Sequence, residues 1–187
     1  MEKGGLTQTL QAAGVATVQG IAWADEMRVG LIGQVRRVWA PRGVKVVQPV
    51  EYTHEWQYLA LTVHPLRGTL RWAWVANLKG ATLAPVVRRW GSQGLRTVVW
   101  DRGQGHRGAA YARLRVKRIE QPPHSPELNP AERLFEHLRG VVEGKVYGTV
   151  AAKRATVEKE LRVLAAHPEQ VKSLTGWPWI QDSLAAL

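Results

Sequence analysis

Apolar residues recur along this chain with two periods, and the points where the period changes divide it into elements. The short apolar runs 21–24 and 97–100 read as buried strands of a covered sheet, and each ends on an aspartate, Asp25 and Asp101. Between them, 29–39, 44–52, 56–63 and 69–75 are rich in β-branched and aromatic residues and predict further strands, parted by turn residues at 41–43 and 65–68. Pro49 marks the second of these as an edge or broken strand. The period then lengthens. Leu83, Val86, Val87 and Trp90 fall on one helical face, which Gly91 is expected to stop. A strand over 96–101, a short helix over 108–115 and a last strand over 116–120 follow. Two more helices are predicted: one over 130–139 ended by Gly140, and one starting at the favoured N-cap Thr149 and closed by Pro168. Strands in succession and then strands alternating with helices predict an α/β chain with a mixed sheet between helices. Residues 1–18 read as an N-terminal remnant or extension with room for a short helix, and 19–187 as a single domain with C-terminal helices.

Composition narrows the classes. The chain has no cysteine, which excludes a disulfide scaffold and a thiolate zinc site. No apolar run approaches the ~20 residues of a membrane span, and the N-terminus lacks a signal pattern, so a cytoplasmic protein is expected. Lys and Arg total 26 against 15 acids, a formal charge of +11. That excess points to a polyanion such as nucleic acid, because basic surfaces neutralise phosphates and release their counterions. Arg36, Arg37, Arg42 and Lys45 surround Trp39. Arginine around an aromatic suits backbone phosphates and unstacked bases; the alternative is a solvated hairpin with Trp39 in the core.

The densest stretch of chemistry is 121–138. Asn129 is a favoured N-cap, Pro130 occupies the first helical position, and Leu134, Phe135 and Leu138 form an apolar face. Glu132, three residues after Asn129, has two readings: the carboxylate of a capping box, or a metal ligand that needs partner carboxylates. Asp25 and Asp101 are candidates, since a charge ending a buried strand is costly unless paired or metal-bound. Strand ends are also where open α/β sheets place ligands. Glu26 would face away from Asp25 on a continuing strand. His106, His124 and His137 match no standard zinc spacing.

The segments Asp25-Glu-Met-Arg-Val-Gly, Val38-Trp-Ala-Pro-Arg-Gly, Trp100-Asp with His106 five residues on, and Pro122-Pro-His-Ser-Pro-Glu-Leu-Asn-Pro-Ala-Glu occur in that order. Together they resemble the catalytic domain of bacterial insertion-sequence transposases of the DDE superfamily, relatives of the mariner group. The last segment carries most of the specificity. The resemblance covers roughly 19–150 and implies a ribonuclease H-like fold with Asp25, Asp101 and Glu132 as catalytic and metal-binding triad. The spacing from Asp101 to Glu132, 31 positions, is close to the family's. The family often has Asn after the second aspartate, where this chain has Arg102.

The implied chemistry is two-metal catalysis with Mg²⁺ or Mn²⁺. Two ions ~4 Å apart activate the attacking oxygen and stabilise the leaving one at phosphorus, with Asp25 bridging them. His106 is grouped with the DNA contacts, orienting substrate or an outer-shell water; the alternative is a simple contact at a helix N-terminus. The implied partners are DNA (transposon ends and target), a separate or frame-split N-terminal helix-turn-helix region, and a second copy in a homodimer. A catalytically silent, DNA-binding derivative is the alternative. Because three converging carboxylates repel one another, Asp101→Asn is expected to raise the melting temperature without metal.

Overall fold

The computed structural model describes residues 5–33, 39–123 and 125–187. Five strands form one sheet in the order β3-β2-β1-β4-β5, with β1 Ile21–Gly30, β2 Trp56–His64, β3 Thr69–Val75, β4 Thr97–Trp100 and β5 Lys117–Glu120. β1, β2 and β3 run antiparallel, while β4 joins β1 and β5 joins β4 in parallel. The sheet is therefore mixed, and helices cover both its faces. This is a ribonuclease H-like architecture.

Alternation along β1 splits the core in two. Ile21, Trp23, Met27 and Val29 join α3 (Ala131–Val142), α4 (Val150–Ala166) and α5 (Pro168–Thr175) on one face. Ala22 and Ala24 meet α2 (Gly80–Ser92), Trp100 and Tyr111 on the other. The N-terminal helix α1 (Gly5–Ala12) buries Leu6 and Leu10 in the first cluster, and Lys117 Nζ donates to the Ala13 and Gly14 carbonyls beyond it. α6 (Pro178–Ala185) completes that layer through Ile180 and Leu184. Thr149 caps α4 as expected, its hydroxyl accepting the Ala152 N–H at 3.1 Å. The amphipathic Lys153 is buried on α4, and its ammonium donates to the Gly30 carbonyl at 2.8 Å and pairs with Glu143 at 3.2 Å.

Three expectations need correction. The predicted strands 29–39 and 44–52 do not form among the described residues: β1 continues from Ile21 to Gly30, and 39–55 carries no strand. Val44, Val46, Val47 and Val50 are exposed there. Their β-branching expresses a fit to a pleated, half-buried surface, and among the described residues no neighbouring strand supplies one. This arm is moored at Glu51, whose carboxylate accepts the Tyr147 and Gly148 N–H groups, each at 2.8 Å. The helix expected over 108–115 is a single 3-10 turn, Ala109–Tyr111. Neither Gly91 nor Gly140 ends its helix; α2 runs to Ser92 and α3 to Val142. A helical glycine costs about 1 kcal/mol relative to alanine, and packing of the apolar face outweighs that.

Candidate active site

The parallel pairing of β1 with β4 sets the site. Trp23 lies level with Val99, and the ladder ends there. Asp25 and Asp101 are each two residues farther on, so both follow a side chain of the α3-side core and lie past the carboxyl end of the parallel ladder. Glu132 enters from the first turn of α3. A cleft of about 440 Å³ brings the three together, with Arg102, Gln121 and Asn129 among its other lining residues. All three sequence-predicted acids therefore line one cleft. Among the described residues, no group of three acidic or imidazole side chains already stands close enough to grip an ion.

Asp25 is largely buried. Its Oδ1 accepts the Glu26 N–H at 2.7 Å, and its Oδ2 accepts the Asn129 side-chain amide at 2.9 Å. Burial pushes its pKa up from 3.8 to about 7, and the charges of Glu26, Glu132 and Asp101 add to that while the Glu26 N–H opposes it. The Asn129 contact was not legible as such, because the residue reads fully as a cap. It is one: its Oδ1 accepts the Ala131 N–H at 3.1 Å. Its Nδ2 reaches back to Asp25 and to the Ala24 carbonyl at 3.2 Å, so one buried side chain ties the start of α3 to β1.

Glu132 does not close a capping box. The Asn129 N–H that such a glutamate would take goes to the Pro126 carbonyl at 2.9 Å, within the 3-10 turn Pro126–Leu128. The Glu132 carboxylate lies 3.8 Å from Arg139 and remains partly exposed to the cleft. That removes the capping-box reading of this residue.

Asp101 differs from Asp25. Its carboxylate is 58% exposed, and Oδ1 meets His106 Nδ1 at 2.7 Å and the Gly103 N–H at 2.9 Å. The His106 bond holds its pKa below the usual carboxylate value. His106 is buried, stacked on Trp100 at 4.3 Å, with Nε2 at 3.0 and 3.1 Å from the two oxygens of Glu26. Burial alone would lower the imidazole pKa, but the bonds to Asp101 and Glu26 raise it to about 10. The geometry of His106 is that of a bridge between two carboxylates. Glu26 does face away from Asp25, and its side chain is only 10% exposed. Arg102 Nε donates to the Gln121 carbonyl at 3.1 Å and pairs with Glu120, linking the ends of β4 and β5.

Of the predicted DNA contacts, Trp39 is fully exposed and Arg42 and Lys45 are exposed on the same irregular arm. Trp39 is thus no core residue. Arg36 and Arg37 lie outside the described residues. No helix among the described residues is long and apolar enough to cross a membrane.

No family model matches the chain, and no curated protein matches it in sequence. Solved structures do match. A Mos1 transposase paired-end complex with a left transposon end superposes over 98% of this chain with a TM-score of 0.66 at 11% identity. The chain has the fold of the Mos1 mariner transposase. The Mos1 strand transfer complex gives a TM-score of 0.68 at 11% identity, again over 98% of the chain. A Mos1 paired-end complex with Mn gives 0.66 at 12% over the same share. The chain spans about three-fifths of the length of each of these proteins, 60–61%. The fold implied by the sequence motifs and the fold found by superposition are the same.

Proposed function

We propose that this chain is the catalytic domain of a DDE transposase, which cleaves and joins DNA strands during transposition of an insertion sequence with Mg²⁺ or Mn²⁺ as cofactor. The observation that carries this reading is the meeting of Asp25, Asp101 and Glu132 in one cleft at the carboxyl end of the parallel strands. It is supported by the fold, since the matching Mos1 structures are complexes with a transposon end and with Mn or Mg. The donor set fits such an ion, because Mg²⁺ and Mn²⁺ take hard carboxylate oxygens and keep several waters. Burial lifts the Asp25 pKa most, the charges of Glu26, Glu132 and Asp101 add to it, and a cation in the cleft would offset that cost of charging.

Asp25, Asp101 and Glu132 would hold two ions, with Asp25 shared. When bound, the metal neutralises charge at phosphorus and polarises the attacking and leaving oxygens. This chain's residues orient and support. Asn129 fixes the rotamer of Asp25. Trp39, Arg42 and Lys45 offer the DNA an exposed aromatic and cations. Recognition of transposon ends then belongs to a separate or frame-split helix-turn-helix region, and the working form is a homodimer on DNA.

Metal-dependent nicking of supercoiled plasmid tests the reading. The parent nicks with Mg²⁺ or Mn²⁺, Asp25→Asn, Asp101→Asn and Glu132→Gln lose the activity, and Glu127→Gln, at the neighbouring acid in the 3-10 turn before α3, keeps most of it. Activity in Glu132→Gln with loss in Glu127→Gln would remove Glu132 from the triad. The alternative is the silent DNA-binding derivative. It predicts no nicking by the parent. Its binding would weaken by orders of magnitude between ~50 and ~200 mM salt if about six phosphates are contacted.

A further inference from the structure

His106 is placed with unusual constraint for a loop residue. It lies in the 3-10 turn Gln104–His106, its backbone N–H bonds the Gly103 carbonyl at 3.0 Å, and its ring lies within 6° of parallel to Trp100. The imidazole side chain is 5% exposed. Its two nitrogens meet carboxylates that lie far apart in sequence, Asp101 Oδ1 at 2.7 Å and Glu26 at 3.0 and 3.1 Å. The loop approaches closely as well. A Cβ on Gly103 would stand 3.0 Å from Asp101 Oδ1 and 3.3 Å from His106 Nδ1.

We propose that Glu26 and His106 form a carboxylate–imidazole clamp that positions Asp101 for metal binding, holding Oδ1 and leaving Oδ2 for the ion. The close contacts of the Asp101 carboxylate fall on Oδ1, an ion pair with His106 Nδ1 at 2.7 Å and a hydrogen bond from the Gly103 N–H at 2.9 Å; Nδ1 also lies 3.4 Å from the Asp101 carbonyl, and among the described residues no contact to Oδ2 is made. An exposed aspartate on a loop would otherwise sample several rotamers, and each productive encounter would cost the entropy of freezing one. A stacked, buried ring prepays that ordering. The ring in turn cannot rotate, because Glu26 takes its far nitrogen with both oxygens. His106 and Glu26 are positioning residues: they act through Asp101 and touch neither metal nor DNA. Metal-ligating carboxylates are generally held in this way by a partner outside the coordination sphere.

The inference rests on the proposed role of Asp101 as a metal ligand, and one titration separates the two. Mn²⁺ alone is titrated into the full chain, with bound ion read from loss of the free Mn²⁺ electron-paramagnetic-resonance signal and from the melting temperature. His106→Asn keeps an N–H near the Nδ1 position and so the bond to Asp101. His106→Gln keeps one near Nε2 and so the bond to Glu26, while losing Asp101. The clamp predicts that His106→Gln weakens Mn²⁺ binding by about 10- to 100-fold, the usual effect of losing such a support, and that His106→Asn recovers most of it. Both variants lower the metal-free melting temperature, since each breaks one of two buried bonds. A purely structural histidine would give that loss without separating the two Mn²⁺ affinities. Equal Mn²⁺ affinities in the two variants, whether both unchanged or both reduced, overturn the clamp and leave Asp101 as ligand. A parent that takes up no Mn²⁺ overturns the metal reading and the clamp with it.

Discussion

Asp25 and Asp101 stand on adjacent strands, each two residues past the last parallel pairing of Trp23 with Val99, yet their surroundings push them in opposite directions. Asp25 is enclosed, has a neutral amide as its side-chain partner, and rises to about 7. Asp101 is open to solvent, has an imidazole held cationic by two carboxylates, and falls below the ordinary value. Near neutral pH without metal, one carboxylate of the proposed pair is therefore a partly protonated group that resists charging, and the other a fully formed anion. Burial and partner identity, not strand position, decide which is which. A cation in the cleft would act mainly on Asp25, by removing the cost of its charge.

Three substitutions would break or sharpen that contrast, in falling order of effect. The largest is Asn129→Ala, which removes the neutral partner of Asp25, the bond to the Ala24 carbonyl and the cap of α3 together. It should cost about 3 kcal/mol in urea unfolding, a cap of ~1 plus the lost buried bonds. A loss under about 1 kcal/mol would mean that Asp25 needs no support from α3. Next comes Asp25→Asn, read across pH in the metal-free protein. A carboxyl raised from 3.8 to about 7 binds its proton more tightly when folded, so its contribution to stability is full below pH ~4, falls through the window to ~7, and is flat above. That shift corresponds to roughly 4 kcal/mol at pH 8. The variant should recover about 2 kcal/mol of it, because its amide oxygen can accept only one of the two donors that Asp25 serves. Thermal melts at pH 4.5 and 8 check this, and a variant no more stable than the parent at pH 8 would contradict the raised value. Smallest is Asp101→Asn, which should lower metal-free stability by about 1 kcal/mol by weakening a charge-assisted bond to His106. The repulsion argument drawn from sequence predicts the opposite sign for this variant. The structure leads to the reverse expectation, because the His106 imidazole stands beside Asp101 and holds its pKa down.

Much of this arrangement is legible in the residues themselves. The apolar runs before Asp25 and Asp101 mark buried strand segments, although β1 runs on past Asp25 to Gly30, and the Asn129-Pro130 pair marks the mouth of α3. Those local signals suffice to bring three acids to one sheet edge. The arm 39–55 was not legible, because Val44, Val46 and Val50 have strand character that only a neighbouring strand could have used. The supports of the site escaped for another reason. Glu26 and His106 are 80 positions apart, Asn129 and Asp25 104, and no periodicity links residues at such distances. Asn129 also hid behind its own local role as a cap.

The level pairing of Trp23 with Val99 has a consequence for how this protein tolerates lengthening and shortening of its chain. Substitutions in β1 or β4 that stay apolar leave both aspartates where they are. One residue inserted between Trp100 and Asp101 changes parity: Trp100 keeps its place in the α2-side core, while the carboxylate leaves the side it shares with Asp25. The hydrophobic layers would survive such an insertion and the protein would fold, with two of its three acids in place. The site is thus robust to spelling and fragile to counting.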